Sequence, residues 1–444
     1  MKLFGTDGIR GVANAELTPE FTVGLGRAAV RMLREAGHAR PHIVVGRDPR
    51  ASGEMLEAAL VAGVTSAGGD VTAVGVLPTP AVAYLTVALG AETGAMISAS
   101  HNPVADNGIK FFGPDGYKLT DDEEERIEEL VQRFYEDRPT GVAIGRLYHR
   151  PALLQSYIDH LASTVNGSLD GLRVVVDCAN GSASPVAPAL LRRLGCDVVA
   201  IHADPDGTNI NEGCGSTYPE IVAAAVVAHG ADIGLAHDGD ADRIIAADAQ
   251  GTVVDGDTIL AVLAQSLHGE RGLDTVVTTV MTNMGFKQAM RGLGVNVVQT
   301  KVGDRYVLEA MRAGGHPIGG EQSGHVIMLD HSTTGDGVLT ALQLLATMKA
   351  TGKPLAELAT VMRRLPQVLV NVRDVERERL DEATALWEAV ADEERTLDGA
   401  GRVLVRASGT EQLVRVMVEA DSQDRAAEVA DRLAKVVAAE LATA

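Results

Sequence analysis

Residues 232–243 read Asp-Ile-Gly-Leu-Ala-His-Asp-Gly-Asp-Ala-Asp-Arg, a short apolar strand that runs directly into a polar loop. The chain before this stretch alternates strand and helix patterns, with strands at 172–177 and 197–201 and helices at 185–194 and 219–229. Such alternation predicts βαβ units and a largely parallel sheet. Loops that follow the strands of such sheets lie at the edge where α/β proteins bind ligands.

The same alternation occurs on both sides of this region. Before it, strands at 42–46, 71–76 and 94–98 lead into Ser98-Ala99-Ser100-His101-Asn102-Pro103. After it, strands at 275–280 and 295–299 precede the polar loop 319–325, and from about residue 366 the order changes to strand, charged helix, two strands and a helix. We therefore predict an α/β protein of three similar α/β domains with mixed, largely parallel sheets, followed by a smaller α+β domain. The predicted boundaries are 1–150, 151–255, 256–365 and 366–444.

Composition limits the function classes. The chain has 444 residues, 46% hydrophobic and 22% charged, as folded globular proteins have, and its net charge of −21 disfavours binding to nucleic acid or an anionic membrane. No signal-peptide pattern or membrane-spanning run occurs, and three cysteines without a C-x-x-C pair fit a reducing compartment. We expect a cytoplasmic protein with buried apolar thiols and no zinc site.

Asp238, Asp240 and Asp242 alternate with small residues. Three carboxylates this close repel one another unless a cation lies between them, and hard oxygen ligands suit Mg²⁺. A calcium EF-hand loop begins in the same way, but it requires Gly and Glu where this chain has Arg243 and Ala249. The alternative interpretation of this loop is a solvated acidic turn.

The segment Ser98–Pro103 places two hydroxyls and an imidazole at a strand end. No G-x-S-x-G pattern surrounds the serines, so an esterase nucleophile is not indicated. A serine that carries a phosphoryl group fits better, and it needs exposure, small neighbours and cations such as Lys110. The alternative is a polar turn that ends at a proline.

Two further segments have residues suited to phosphate. Arg406-Ala407-Ser408-Gly409-Thr410-Glu411, followed by Arg415, combines small residues, hydroxyls and guanidinium groups, although a hairpin turn has the same composition. Phe4–Gly11 is too glycine-rich for a strand or a helix. It nevertheless combines Arg10 with hydroxyl and carboxylate groups, which suits a phosphoryl site.

Taken in order, these segments resemble the α-D-phosphohexomutase family over essentially the whole chain. The matching segments are Gly5–Gly11, Ser98–Pro103, Asp238–Arg243, Gly320–His325 and Arg406–Glu411. The resemblance implies four domains around a central cleft. It also implies that Ser100 is a phosphoserine whose phosphate, with Asp238, Asp240 and Asp242, holds one Mg²⁺.

The resemblance assigns the remaining roles by position. Glu321 and Ser323 would bind sugar hydroxyls, and Arg243 and Lys301 would also reach the substrate. The phosphate that is not reacting would be held by Arg406, Ser408, Gly409, Thr410 and Arg415. The candidates for charge stabilisation or proton transfer, between which the sequence does not decide, are Arg10, His101, Lys110 and His325.

The implied activity is the reversible conversion of glucosamine 6-phosphate to glucosamine 1-phosphate through a bisphosphorylated sugar. Glucosamine 1,6-bisphosphate or phosphorylation of Ser100 would prime the enzyme. The opening segment Phe4–Gly11 and the loop Gly320–His325 favour the amino sugar over glucose or mannose phosphate, the alternative substrates within the family. A non-catalytic sugar-phosphate sensor has no use for a phosphoryl carrier, and a metal-dependent phosphatase needs no second phosphate site. The sequence does not determine the oligomeric state.

Overall fold

The computed structural model describes residues 3–5, 7–133, 138–408 and 412–442. The chain divides into two compact units, which are described separately. Unit 1 is Met1–Met281 with Val295–Val361, and unit 2 is Thr282–Gly294 with Met362–Ala444.

The first sheet of unit 1 has six strands in the order β1-β5-β4-β2-β3-β6. They are β1 (Ile9–Val12), β2 (His42–Arg47), β3 (Asp70–Val76), β4 (Thr93–Ile97), β5 (Asp106–Phe112) and β6 (Leu147–His149). Strands β4, β2, β3 and β6 are parallel, whereas β5 pairs antiparallel with both β4 and β1. The accompanying helices are α1 (Pro19–Glu35), α2 (Ala51–Ser66), α3 (Thr79–Ala88), α4 (Asp121–Val131) and α5 (Leu154–Ser163).

The prediction that Phe4–Gly11 is too glycine-rich for a strand is wrong for its last three residues, Ile9 to Gly11. Ile9 to Val12 form β1, because β5 offers a complete antiparallel partner from Ile109 to Asp106. Helix α1 begins as expected for its sequence, since Thr18 accepts a hydrogen bond from the Phe21 amide and Pro19 occupies the first turn.

The second sheet has the order β11-β10-β9-β7-β8, in which β9, β7 and β8 are parallel. Its strands are β7 (Arg173–Asp177), β8 (Asp197–Ile201), β9 (Ile233–His237), β10 (Ile244–Asp248) and β11 (Val253–Val254), and its helices are α6 (Ala187–Arg193) and α7 (Pro219–His229). Every residue of β4 and β9 is buried, as expected for strands covered by helices on both faces.

The third sheet has the order β13-β12-β14-β15 and is parallel except for β15. Its elements are α8 (Gly256–Arg271), β12 (Thr275–Thr279), α9 (Met284–Leu293), β13 (Asn296–Thr300), α10 (Asp304–Gly314), β14 (Ile318–Gly320), β15 (Val326–Met328), α11 (Gly337–Thr351) and α12 (Leu355–Leu358). Although α9 connects β12 to β13, it belongs to unit 2.

Unit 2 contains a small antiparallel sheet in the order β16-β18-β17. Its elements are β16 (Gln367–Arg373), α13 (Thr384–Leu397), β17 (Arg402–Ala407), β18 (Leu413–Glu419) and α14 (Gln423–Glu440). The buried Glu419 carboxylate joins this sheet to α9, because it accepts hydrogen bonds from the Met284 amide at 2.7 Å and from Arg402 Nε at 2.9 Å. The predicted class, with mixed and largely parallel sheets and a smaller α+β part at the end, is confirmed.

Short 3₁₀ helices complete the secondary structure at Gly141–Ala143, Pro151–Leu153, Gly215–Thr217, Ala359–Val361 and Arg377–Glu382. Within the described ranges, no helix is both long and apolar enough to cross a bilayer.

Candidate active site

Ser100 lies in the loop that follows β4, in a left-handed backbone conformation with φ of 52°. Its Oγ donates a hydrogen bond to Asp238 Oδ2 at 2.6 Å and lies 3.3 Å from His101 Nδ1. A non-glycine residue with positive φ costs about 1–3 kcal/mol, and such strain clusters at functional sites. The expected exposure of Ser100 is not found, since only 1% of the residue is accessible. The aspartate loop 238–242 contacts it directly.

The serine loop is held in place by residues that were not identified from the sequence. Arg50 is fully buried, pairs with Asp48 at 2.9 Å, and donates hydrogen bonds to the carbonyls of Ser100 and Asn102 at 3.0 and 2.8 Å. Asn211 donates to the same two carbonyls at 2.8 and 3.1 Å. Asp48 directly follows β2, and Arg50 lies two residues further on. Their place at the carboxyl edge of the sheet was the available signal in the sequence.

The aspartate loop follows β9 and packs tightly against the serine loop. Gly239 is required at this contact, because a Cβ atom there would lie 2.5 Å from the Ser100 carbonyl oxygen. Ligand atoms of Asp238, Asp240 and Asp242 all lie within 4.8 Å of one another, and all three residues are buried. The predicted convergence of the three carboxylates is therefore present.

The electrostatics of this cluster favour a cation. Burial and the neighbouring carboxylates raise the pKa of Asp238 well above its ordinary value. Asp240 Oδ1 and Asp242 Oδ1 are buried and accept no hydrogen bond from any residue that the structure describes. Buried carboxylate oxygens without donors are costly unless an ion coordinates them. An all-carboxylate donor set fits a hard divalent cation.

A row of alternating charges extends from the aspartate loop. Lys110 Nζ lies 2.9 Å from Asp240 Oδ2 and 3.0 Å from Asp7 Oδ2, and Lys118 Nζ lies 2.6 Å from Asp7 Oδ1 and 2.5 Å from Asp304 Oδ2. Burial opposes the charged form of Lys110, but the surrounding carboxylates outweigh it and raise the lysine pKa. Lys110 therefore remains a cation at neutral pH. The ion pairs that Asp7, Lys118 and Asp304 form in this row were not predicted from the sequence.

The remaining predicted catalytic residues surround the same cluster. Burial, together with Arg243 and Arg10, lowers the pKa of His101 to about 4, so its ring is neutral at neutral pH. Arg10 pairs with Asp7, and Arg243 Nε lies 3.7 Å from Asp242 Oδ1. Both ring nitrogens of His325 are buried and lack a hydrogen-bond partner among the described residues.

His325 Nε2 lies 3.6 Å from Asp304 Oδ2. His325 belongs to the loop Gly320–His325, which packs against the end of the aspartate loop. A Cβ atom on Gly324, whose φ is 89°, would lie 2.0 Å from the Ile244 carbonyl oxygen. Within this loop Glu321 accepts a hydrogen bond from the Gly303 amide at 3.1 Å, and Ser323 is exposed. Lys301 is also exposed and lies two residues before Gly303.

The predicted phosphate cradle lies in unit 2. Arg406 on β17 is directly opposite Arg415 on β18, and burial together with Arg415 lowers the pKa of Arg406. Two guanidinium groups opposite each other repel, and an anion bound between them would reduce this repulsion. Ser408 is buried at the end of β17, whereas Gly409 and Thr410 lie outside the described residues.

Known proteins are similar to this chain over nearly its whole length. Family models described as phosphoglucomutase/phosphomannomutase alpha/beta/alpha domains I, II and III match residues 1–138, 155–251 and 255–365, and the model of the C-terminal domain matches 369–436. A phosphoglucosamine mutase from Streptomyces griseus is 58% identical over 98% of both chains. One from Mycolicibacterium gilvum is 56% identical over 99% of both chains.

A solved structure agrees with the sequence relatives. The phosphoglucomutase/phosphomannomutase family protein from Burkholderia thailandensis has a TM-score of 0.84 and 26% identity, covering 99% of this chain and 97% of its own. The predicted family resemblance is confirmed, and the chain belongs to the phosphoglucomutase/phosphomannomutase family of phosphohexomutases, which are enzymes of the isomerase class.

Proposed function

We propose that this chain interconverts glucosamine 6-phosphate and glucosamine 1-phosphate, as a phosphoglucosamine mutase. The observation that carries the proposal is the 2.6 Å contact between Ser100 Oγ and Asp238 Oδ2, beside three buried carboxylates and the cation Lys110. The relatives with 56–58% identity, all named phosphoglucosamine mutase, support the amino sugar as substrate. We also propose four domains, at 1–150, 151–255, 256–365 and 366–444, which the four family matches support.

Ser100 is proposed to carry the phosphoryl group. A phosphoryl group on Oγ would replace the hydrogen bond to Asp238, and two anions would then face each other in a buried site. They require a cation between them, which supports a metal held by Asp238, Asp240, Asp242 and the Ser100 phosphate. Mg²⁺ suits these ligands and, when bound, neutralises charge that develops on a transferring phosphoryl group.

The residues of the chain then divide the remaining tasks. Lys110 stays protonated and adds a fixed positive charge beside the aspartates, as phosphoryl transfer requires. His101, neutral and 3.3 Å from Ser100 Oγ, is suited to accept a proton there. Arg10 and His325 are proposed to stabilise charge on the substrate.

The substrate is proposed to bind through two sets of residues. Glu321 and Ser323 hold sugar hydroxyls, with Arg243 and Lys301 as further contacts. The phosphate that is not reacting is proposed to be held by Arg406, Ser408, Gly409, Thr410 and Arg415. This clamp must accept either phosphate of the bisphosphorylated intermediate. Priming requires glucosamine 1,6-bisphosphate or phosphorylated Ser100.

Competition between substrates tests the proposal. Glucosamine 6-phosphate, glucose 6-phosphate and mannose 6-phosphate are mixed in one reaction with Mg²⁺, and the three 1-phosphates are quantified. We expect kcat/KM for the amino sugar to be higher by at least roughly tenfold, which corresponds to about 1.4 kcal/mol. A preference for glucose or mannose phosphate would refute the assignment of the amino sugar as substrate. If no primed mixture shows turnover, the assignment of mutase activity is refuted.

A further inference from the structure

A second group of side chains in unit 1 has the arrangement of a metal site. Asp177 ends β7, His202 directly follows β8, and Cys214 directly precedes the 3₁₀ helix Gly215–Thr217. One ligand atom from each residue lies within 4.8 Å of the other two. Around one Zn²⁺ ion, ligand atoms have separations of this order, because each lies about 2.0–2.3 Å from the metal.

Asp177 and His202 lie close enough to each other to share a cation. Asp177 is fully buried, and its oxygens accept hydrogen bonds from the amides of Ala179 and Gly215 at 2.9 and 3.0 Å. His202 Nδ1 lies 3.1 Å from Asp177 Oδ2, but the buried nitrogen does not form a hydrogen bond with any described residue. Two ligand atoms of one metal ion lie at such a separation.

The donor set indicates the class of metal. A thiolate selects soft or borderline cations, and Zn²⁺ combines thiolate, imidazole and carboxylate ligands. Mg²⁺ instead requires oxygen ligands, which the aspartate loop supplies. We propose that Asp177, His202 and Cys214 bind a thiophilic divalent cation of the Zn²⁺ class, at a site separate from the aspartate loop. The His202 side chain is 33% exposed, which leaves a path from solvent.

The lack of a C-x-x-C pair predicts no zinc site. That prediction considers only ligands close together in sequence, whereas here each ligand comes from a different segment. The arrangement also indicates a structural role for the site. Asn211, three residues before Cys214, donates to the Ser100 carbonyl at 2.8 Å. A metal on Cys214 would therefore fix the segment that supports the serine loop.

Binding has a defined proton balance. The metal–sulfur bond forms as the thiol proton of Cys214 passes to solvent, so one proton is released for each ion bound.

Cobalt spectroscopy on the full chain tests the site. Protein saturated with Mg²⁺ is titrated with Co²⁺, and the sulfur-to-cobalt charge-transfer band is followed in the near ultraviolet. Oxygen ligands of the aspartate loop give no such band. We expect the band to saturate at one Co²⁺ for each chain and to disappear when Zn²⁺ displaces Co²⁺.

Matched variants separate this site from the other thiols and carboxylates. Cys214→Ser should abolish the band, whereas Cys196→Ser and Asp240→Asn should retain it. Even the loss of an outer partner of a metal ligand costs about 10–100-fold in affinity, so the loss of His202 as a direct ligand in His202→Ala should weaken Co²⁺ binding at least tenfold. His202 is partly exposed, which makes this variant the test if Cys214→Ser does not fold. A missing band in the wild type, or a band that survives in Cys214→Ser or keeps its full affinity in His202→Ala, would overturn the proposal.

Discussion

Replacing Arg50 with methionine tests how the serine loop is held. The guanidinium group pairs with Asp48 at 2.9 Å, and neither side chain is exposed. The same group donates hydrogen bonds to the backbone carbonyls of Ser100, Asn102 and Pro103 in the loop and of Asp106 at the start of β5. Methionine fills most of the apolar volume of the arginine stem, so the change removes mainly charge and hydrogen bonds.

The magnitude follows from what the variant leaves behind. Asp48 becomes an unpaired buried carboxylate, and breaking a buried pair costs about 3–5 kcal/mol. Asn211 still donates to the Ser100 and Asn102 carbonyls, so these two keep a partner. We expect the free energy of unfolding of unit 1 to fall by about 3–5 kcal/mol. We also expect kcat to fall by about 100-fold, because a misplaced reacting group has a cost of that order.

Urea denaturation provides the assay. Circular dichroism follows the whole chain, whereas fluorescence of the single tryptophan, Trp387, follows unit 2. Two controls accompany the variant. Asp48→Asn combined with Arg50→Met removes the unpaired charge and should regain part of the stability but not the turnover. Arg432→Met removes a half-exposed ion pair and should cost at most about 1 kcal/mol. If Arg50→Met matches Arg432→Met in both stability and kcat, Arg50 does not position Ser100.

Ser100→Ala should abolish turnover, and intact-mass spectrometry should detect a phosphate on the primed wild type but none on the variant. Asp240→Asn should weaken the Mg²⁺ dependence and lower kcat more than it raises KM; unchanged Mg²⁺ dependence would refute the metal assignment. Arg406→Ala should raise KM for glucosamine 6-phosphate by the equivalent of about 1.5–3 kcal/mol, and an unchanged KM would exclude it from the phosphate clamp. Burial raises the pKa of Asp336 from 3.8 to about 6. The free energy of unfolding should therefore fall by about 3 kcal/mol as the pH rises through that range, because the buried carboxyl then loses its proton. Asp336→Asn should not show this fall when unfolding is measured between pH 4 and 7.

The parts of the fold that local sequence determines were predicted from it. Strands β4 and β9 are apolar runs that end in polar loops, so both their positions and the loops at their carboxyl edge could be inferred. Strand β1 could not be inferred, because Ile9–Val12 becomes a strand through pairing with β5, about a hundred residues further along the chain. Helix α11 is buried on nearly every side, so it has no amphipathic pattern that distinguishes it from a strand or a loop.

The residues of the candidate site also divide into those that can be recognised from local sequence and those that cannot. The serine and the three aspartates are recognisable because each group is contiguous in sequence. Arg50 and Lys118 act through partners that are distant in sequence, the serine-loop carbonyls and Asp304 respectively. Their roles depend on tertiary contacts, and an isolated arginine or lysine in a sequence has no feature that reveals such a contact.

Helix α9 has a consequence for how the protein forms during synthesis. It leaves the ribosome between β12 and β13, but its first residues are held by groups that are made much later. The Asn283 side chain accepts a hydrogen bond from the Leu365 amide, and the Met284 amide donates to Glu419. Phe286 and Met290 of α9 are also fully buried. The third sheet therefore emerges with one of its connecting helices still without its partners, and co-translational folding of that helix must wait for nearly the whole chain. Truncated chains that end before residue 362 should consequently expose α9 to chaperones and proteases.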